Sequence, residues 1–155
     1  MSLPTVVVAL AVTLGAVASE AGAEDSFRLT AHQDFGLSLE HAWTAGIVGT
    51  ELTVDRPGRK PKTRRLSPKD VDNVMEALKA NDFRSLGVRV GPTGVCDDCP
   101  RCVLEVNWEG GPQWVTVYSL GEPPHHLPDE LQRFLSVWKT VKRVAGVNRL
   151  RDACP

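Results

Sequence analysis

Cys96, Cys99 and Cys102 form a C-x-x-C-x-x-C run, and a fourth cysteine, Cys154, stands before Pro155. Thiols at these spacings can do four kinds of chemistry. Three close cysteines with a remote Cys-Pro follow the ligand pattern of bacterial iron–sulfur sites. The same four sulfurs also suit a tetrahedral zinc site. A C-x-x-C at a helix N-terminus would make a redox dithiol, because the helix dipole lowers the thiol pKa there. In an oxidising compartment, an even number of cysteines closes disulfides. Here the run leads into a strand pattern, and Asp97 and Asp98 beside it oppose a thiolate, which argues against redox catalysis. Two disulfides, with no metal and no cofactor, are the expectation, and a four-thiolate zinc site is the alternative. Three connectivities are open, and each ties the Cys96–Cys102 segment to the C-terminal tail. A Cys102–Cys154 link would close about 50 residues and contribute roughly 4 kcal/mol in the chain-entropy account.

The second chemically equipped segment is basic. Arg56, Arg59, Lys60, Lys62, Arg64 and Arg65 surround Pro57-Gly58 and Pro61, so their cations gather at the tip of a hairpin. Such a tip is either a solvated loop, the expected reading, or a contact for an anionic envelope polymer. No aromatic residue interleaves with the cations, and stacking platforms are what single-stranded nucleic-acid readers need, so a nucleic-acid partner is not expected. The histidines are scattered: His32 and His41 lie early in the chain, and His125-His126 sit among prolines. No Gly-x-Ser-x-Gly, H-E-x-x-H, P-loop or dinucleotide fingerprint occurs, so no catalytic residue is assigned and the chain is not expected to be an enzyme.

Compartment is read from the start of the chain. Val6–Ala18 is an apolar run broken by Thr13 and Gly15, too short to span a bilayer as a helix and of the length of a signal h-region. Ala21 and Ala23 supply an A-x-A cleavage site, so residues 1–23 are expected to be a signal peptide and the mature chain to begin at Glu24. An uncleaved interfacial anchor is the alternative, because Met1–Thr5 carries no lysine or arginine. The leader also lacks the twin arginine that would export a folded iron–sulfur protein. Export to the periplasm or beyond follows, with no membrane span in the mature chain. Among the charged residues, cleavage removes Glu20 alone, turning 19 acids against 18 bases into 18 against 18. Bulk charge therefore names no partner. Residues 24–155 are one domain's worth of chain.

The elements that must position these groups can be read from periodicity. Ser26–His32 alternates Phe27, Leu29 and Ala31 against polar neighbours, and Ile47–Val54 is rich in β-branched residues, so both read as strands. Gln33–Gly46 between them has no clear period. A short strand is expected to end near Leu66. Ser67, Pro68 and Asp70 spell a capping-box start, and Val71, Val74, Met75 and Leu78 then recur at helical spacing until Asn81. Cys102–Trp108 and Gln113–Leu120 alternate as two arms of a hairpin around Glu109-Gly110-Gly111-Pro112, with Trp108 and Trp114 expected in the core. A second helix starts at Asp129 with Leu131, Phe134, Leu135, Trp138 and Val141 as its apolar stripe, and Gly146 stops it. The expected fold is a two-layer α+β domain, an antiparallel sheet of about four to five strands with two helices on one face.

Leu66-Ser67-Pro68, Ala80-Asn81-Asp82-Phe83-Arg84-Ser85-Leu86, Val103-Leu104-Glu105-Val106, Trp114-Val115-Thr116-Val117 and Leu127-Pro128-Asp129-Glu130-Leu131 carry a resemblance over roughly residues 66–143. Through them the chain resembles the emfourin-like small bacterial proteins, whose founding member inhibits thermolysin-like metallopeptidases. The resemblance implies a protein-binding module and a protease inhibitor. No inhibitory residue transfers, and Asp34-Phe35-Gly36 replaces the family's glycine-rich opening. Binding residues are instead expected in two loops stiffened by disulfide or proline: Gly94, Asp97 and Asp98 within Gly87–Pro100, and Pro123, Pro124, His125 and His126 within Gly121–Leu127. The competing functions are a metal or redox module on the cysteines and a polymer binder on the basic hairpin.

Overall fold

A computed structural model describes residues 27–35, 38–90, 99–118 and 128–148. The strands are β1 (Arg28–Phe35), β2 (Ser38–Val48), β3 (Glu51–Asp55), β4 (Lys62–Arg65), β5 (Arg89–Val90), β6 (Arg101–Asn107) and β7 (Pro112–Tyr118). Two helices, α1 (Pro68–Ala80) and α2 (Asp129–Ala145), and a 3-10 turn over Phe83–Ser85 complete the described elements. The strands form one sheet in the order β4-β3-β2-β1-β6-β7-β5. Every neighbouring pair is antiparallel except β5 and β7, which run parallel.

The α+β class and the two helices match the expectation, whereas the sheet is larger and mixed: it has seven strands, against the expected four to five antiparallel ones. Three local causes account for the difference. Ile47–Val54 is two strands, because Gly49 takes a φ of 56° and, with Thr50, closes a tight turn that sets Val48 opposite Glu51. β1 and β2 extend through the segment that lacks a period, and a register shift after Gln33 blurs their alternation. β5 has only two residues, too few for any period, and it is held where the Thr116 amide donates to the Val88 carbonyl at 2.9 Å.

Register decides which face is buried. Ala31 pairs with Ala45 and Leu104, Leu29 with Ile47 and Val106, and Leu104 with Val115, so these residues share one face, and all are buried. Val74 and Leu78 of α1 and the whole expected stripe of α2 close over that face. α2 also buries Val137 and Val144, which lie off that stripe, because α1 packs alongside it. Val115 and Val117 occupy the core, so the pleat turns Trp114 outward. Trp114 is therefore 52% exposed on the face opposite the helices, a correction to its expected burial, and Trp108 is half-buried against the core edge.

α1 begins as its sequence requires. The Asp70 amide donates to Ser67 Oγ at 3.2 Å, and the Ser67 amide donates to Asp70 Oδ2 at 3.3 Å. The Ser67 side-chain and backbone hydrogen bonds hold the Asp70 carboxyl below its usual value of 3.8. A depressed carboxylate lends stability above its unfolded pKa and loses it as pH falls through the folded value. Ser67→Ala is expected to cost about 1 kcal/mol at pH 7 in urea unfolding. The gap between wild type and Asp70→Asn should narrow as pH falls below about 3.8.

Candidate functional site

The basic segment is a hairpin whose geometry follows from its residue types. Pro57-Gly58 forms the turn, with Gly58 at a φ of 71° and the Arg59 amide donating to the Arg56 carbonyl at 3.1 Å. Leu52 faces the core and pairs with Arg64, and Val54 pairs with Lys62, so both cations lie on the helix-covered side at the edge of the sheet. That edge runs past the C-terminal end of α2. There Gly146 adopts a φ of 72°, and the Val147 amide donates to the Lys142 carbonyl at 3.0 Å. Arg64 Nη2 donates to the Val144 carbonyl at 2.5 Å, satisfying one of the carbonyls that a helix end leaves without a partner.

Between the hairpin and the end of α2 lies a cavity of about 320 Å³. Arg56, Arg59, Lys60, Lys62 and Arg64 line it, and Val54, Thr63, Ala145 and Gly146 complete its wall. Five of the six cations singled out in the sequence thus meet around one volume. The sixth, Arg65, pairs with Glu51 across the strands and does not line it. Among the described residues no acidic and no aromatic side chain lines the cavity.

The other sequence-derived candidates are distributed differently. Cys99 and Cys102 are disulfide-bonded, and Cys102 is fully buried on the core face of β6. Cys96 and Cys154 lie outside the described residues, as do Gly94, Asp97, Asp98, Pro123, Pro124, His125 and His126 and the whole leader, residues 1–23. Among the described residues, no three His, Cys, Asp or Glu side chains gather closely enough to hold a metal ion. No described helix is long and apolar enough to cross a membrane.

Two groupings were not legible in the sequence. Asp34 is buried and accepts from Arg101 Nε at 2.5 Å, with His32 Nε2 3.8 Å from the same oxygen. That bond to Asp34 raises the Arg101 guanidinium above its ordinary value. The partners come from β1 and β6, 67 residues apart in the chain, so no local pattern marks them. The second grouping stitches the β6–β7 turn to the 3-10 turn. Arg84 donates to the carbonyls of Trp108, Glu109 and Gly111, while Gln113 Nε2 donates back to those of Phe83, Arg84 and Leu86. Both groupings tie together elements distant in sequence.

No protein-family model and no curated protein matches the chain.

Proposed function

We propose that this chain is an exported binding module, not an enzyme, and that it holds an anionic envelope polymer in the groove between the β3–β4 hairpin and the end of α2. The observation that carries this reading is the meeting of five cations around one cavity of about 320 Å³, with no acid in its wall among the described residues. The gathering is also local, because the chain as a whole has 18 basic against 19 acidic residues. The wall formed by the described residues is cationic and aliphatic, which favours a polymer recognised by its charge over one read by stacking. The test is retention of the purified protein on immobilised dextran sulfate. Retention should fall steeply as salt rises from about 50 mM to about 500 mM, where screening shortens the reach of each charge. Weak retention that is indifferent to salt would remove the reading.

A second reading keeps the protein partner that the emfourin resemblance implies. Trp114 and Val88 are both more than half exposed, and tryptophan is the residue type most enriched among interface anchors. Residual activity of a thermolysin-like peptidase, measured at rising excess of the protein and of Trp114→Ala, tests it. Full peptidase activity at large excess would sink the inhibitor role.

Export and pairing of Cys96, Cys99, Cys102 and Cys154 into two disulfides belong to the same proposal. Intact-mass analysis of protein recovered from the exported fraction should show a chain beginning at Glu24. Alkylation without reductant should add no label to it. Four alkylated thiols, or zinc that protects them, would shift the weight to a metal module.

A further inference from the structure

We infer that the charged group this groove takes is a phosphomonoester, an inference that rests on the anionic-polymer reading and narrows it. Arg64 is engaged by the Val144 carbonyl, which leaves Arg56, Arg59, Lys60 and Lys62 to face the cavity. The Arg64 bond also offsets the negative end of the α2 dipole, which would otherwise repel an anion at this floor.

The arrangement distinguishes among anions. The four cations come from the turn and from β4 and line one small volume, so an anion held there lies within reach of more than one donor. A carboxylate is planar, presents two oxygens, and is satisfied by one bidentate arginine. A phosphodiester carries a single charge on two free oxygens. A phosphomonoester offers three acceptor oxygens and a charge of about −1.5 to −2 at pH 7, which suits a volume lined by several cationic donors. At about 320 Å³ the cavity sits at the lower bound of small-ligand sites, so it holds one such centre with its immediate substituent, not a run of spaced charges. The wall supplied by Val54, Ala145 and Gly146 gives the uncharged part of the ligand a surface to lie on.

The experiment is a titration of the full protein with glucose 6-phosphate, followed by backbone amide shifts and calorimetry. Saturable one-to-one binding is expected, with shifts centred on Arg59, Lys60 and Gly146. Glucuronate, as the carboxylate control, and glycerophosphoglycerol, as the phosphodiester control, should each bind at least about tenfold more weakly. Affinity for glucose 6-phosphate should fall as pH drops below about 6, where the second phosphate ionisation is lost. Among the described residues no histidine lines the groove, so that dependence reports the ligand. Ala145→Leu, which fills the cavity without changing its charge, should weaken binding about tenfold or more. Lys60→Gln, at an exposed turn position, should weaken it severalfold with no loss of fold.

A phosphorylated dextran binding more tightly per phosphate than glucose 6-phosphate points to a polymer as the source, and the reverse order points to a free sugar phosphate. Equal affinity for glucuronate, shifts spread over the whole surface, or wild-type binding by both variants would overturn the phosphate site. Salt-dependent retention on dextran sulfate that survives such a result would leave the broader polymer reading standing, so the two failures are distinguishable.

Discussion

Reversing Arg59 and Lys60 together to glutamate is expected to weaken binding to an anionic polymer by about 100-fold at low salt, or roughly 2.7 kcal/mol. The two changes alter the groove's charge by four units, taking five cations down to a net of about one, so attraction at the turn becomes repulsion. Both side chains are exposed at the hairpin tip, and the turn itself depends on Pro57-Gly58 and the Arg59 amide, which the reversal leaves in place. Thermal unfolding should therefore move little. Arg64→Glu makes the contrast: it removes the donor to the Val144 carbonyl and sets a negative charge against the α2 C-terminus, so it should lower both stability and binding. The gap between wild type and the double reversal should close near 1 M salt, where the Debye length is about 3 Å. A gap that persists there would point to loss of shape and not of charge.

The helices were legible because their signals are local. Ser67, Pro68 and Asp70 state the start of α1 within four residues, and Gly146 supplies the left-handed stop of α2 with its own amide bonded to the Arg143 carbonyl. The sheet was less legible for an equally physical reason. Gly49 lies between β-branched residues that suit either one strand or two, and only the pairing of Val48 with Glu51 separates them. Trp114 shows the limit of hydrophobicity as a guide, since the pleat places it outside once Val115 and Val117 are inside.

The candidate site was half legible. Its cations are contiguous in sequence and announce themselves, whereas its other wall, Ala145 and Gly146, carries no chemical signal and reaches the hairpin only through the tertiary fold. Arg64 belongs to both halves. Its charge suggests a contact residue, but its bond to Val144, 80 positions away, makes it also the device that fixes the end of α2 against the hairpin. A charge run and a helix end become one groove through that contact.

Trp138→Ala is expected to destabilise the protein by about 3–5 kcal/mol in urea unfolding. Trp138 is fully buried, its ring centroid 5.1 Å from that of Trp43 and 5.9 Å from that of Phe134. Removing it opens a cavity between α2 and the sheet that neighbouring side chains can close only in part. Trp43→Phe should cost far less, because the buried Trp43 Nε1 has no hydrogen-bond partner among the described residues, and deleting that donor offsets part of the lost apolar area. Lys79→Ala serves as a surface control: its contact with Trp108, 5.7 Å from nitrogen to ring centroid, and its ion pair with Glu109 are both exposed and worth under about 1 kcal/mol. The consequence reaches the groove, because Trp138 fixes the helix whose last residues form its floor. Trp138→Ala should therefore weaken anion binding under conditions where the protein is still folded, although no groove residue has changed, and Trp138→Phe should recover most of it. Unchanged affinity in a folded Trp138→Ala protein would show that the hairpin cations act alone, without the floor that α2 provides.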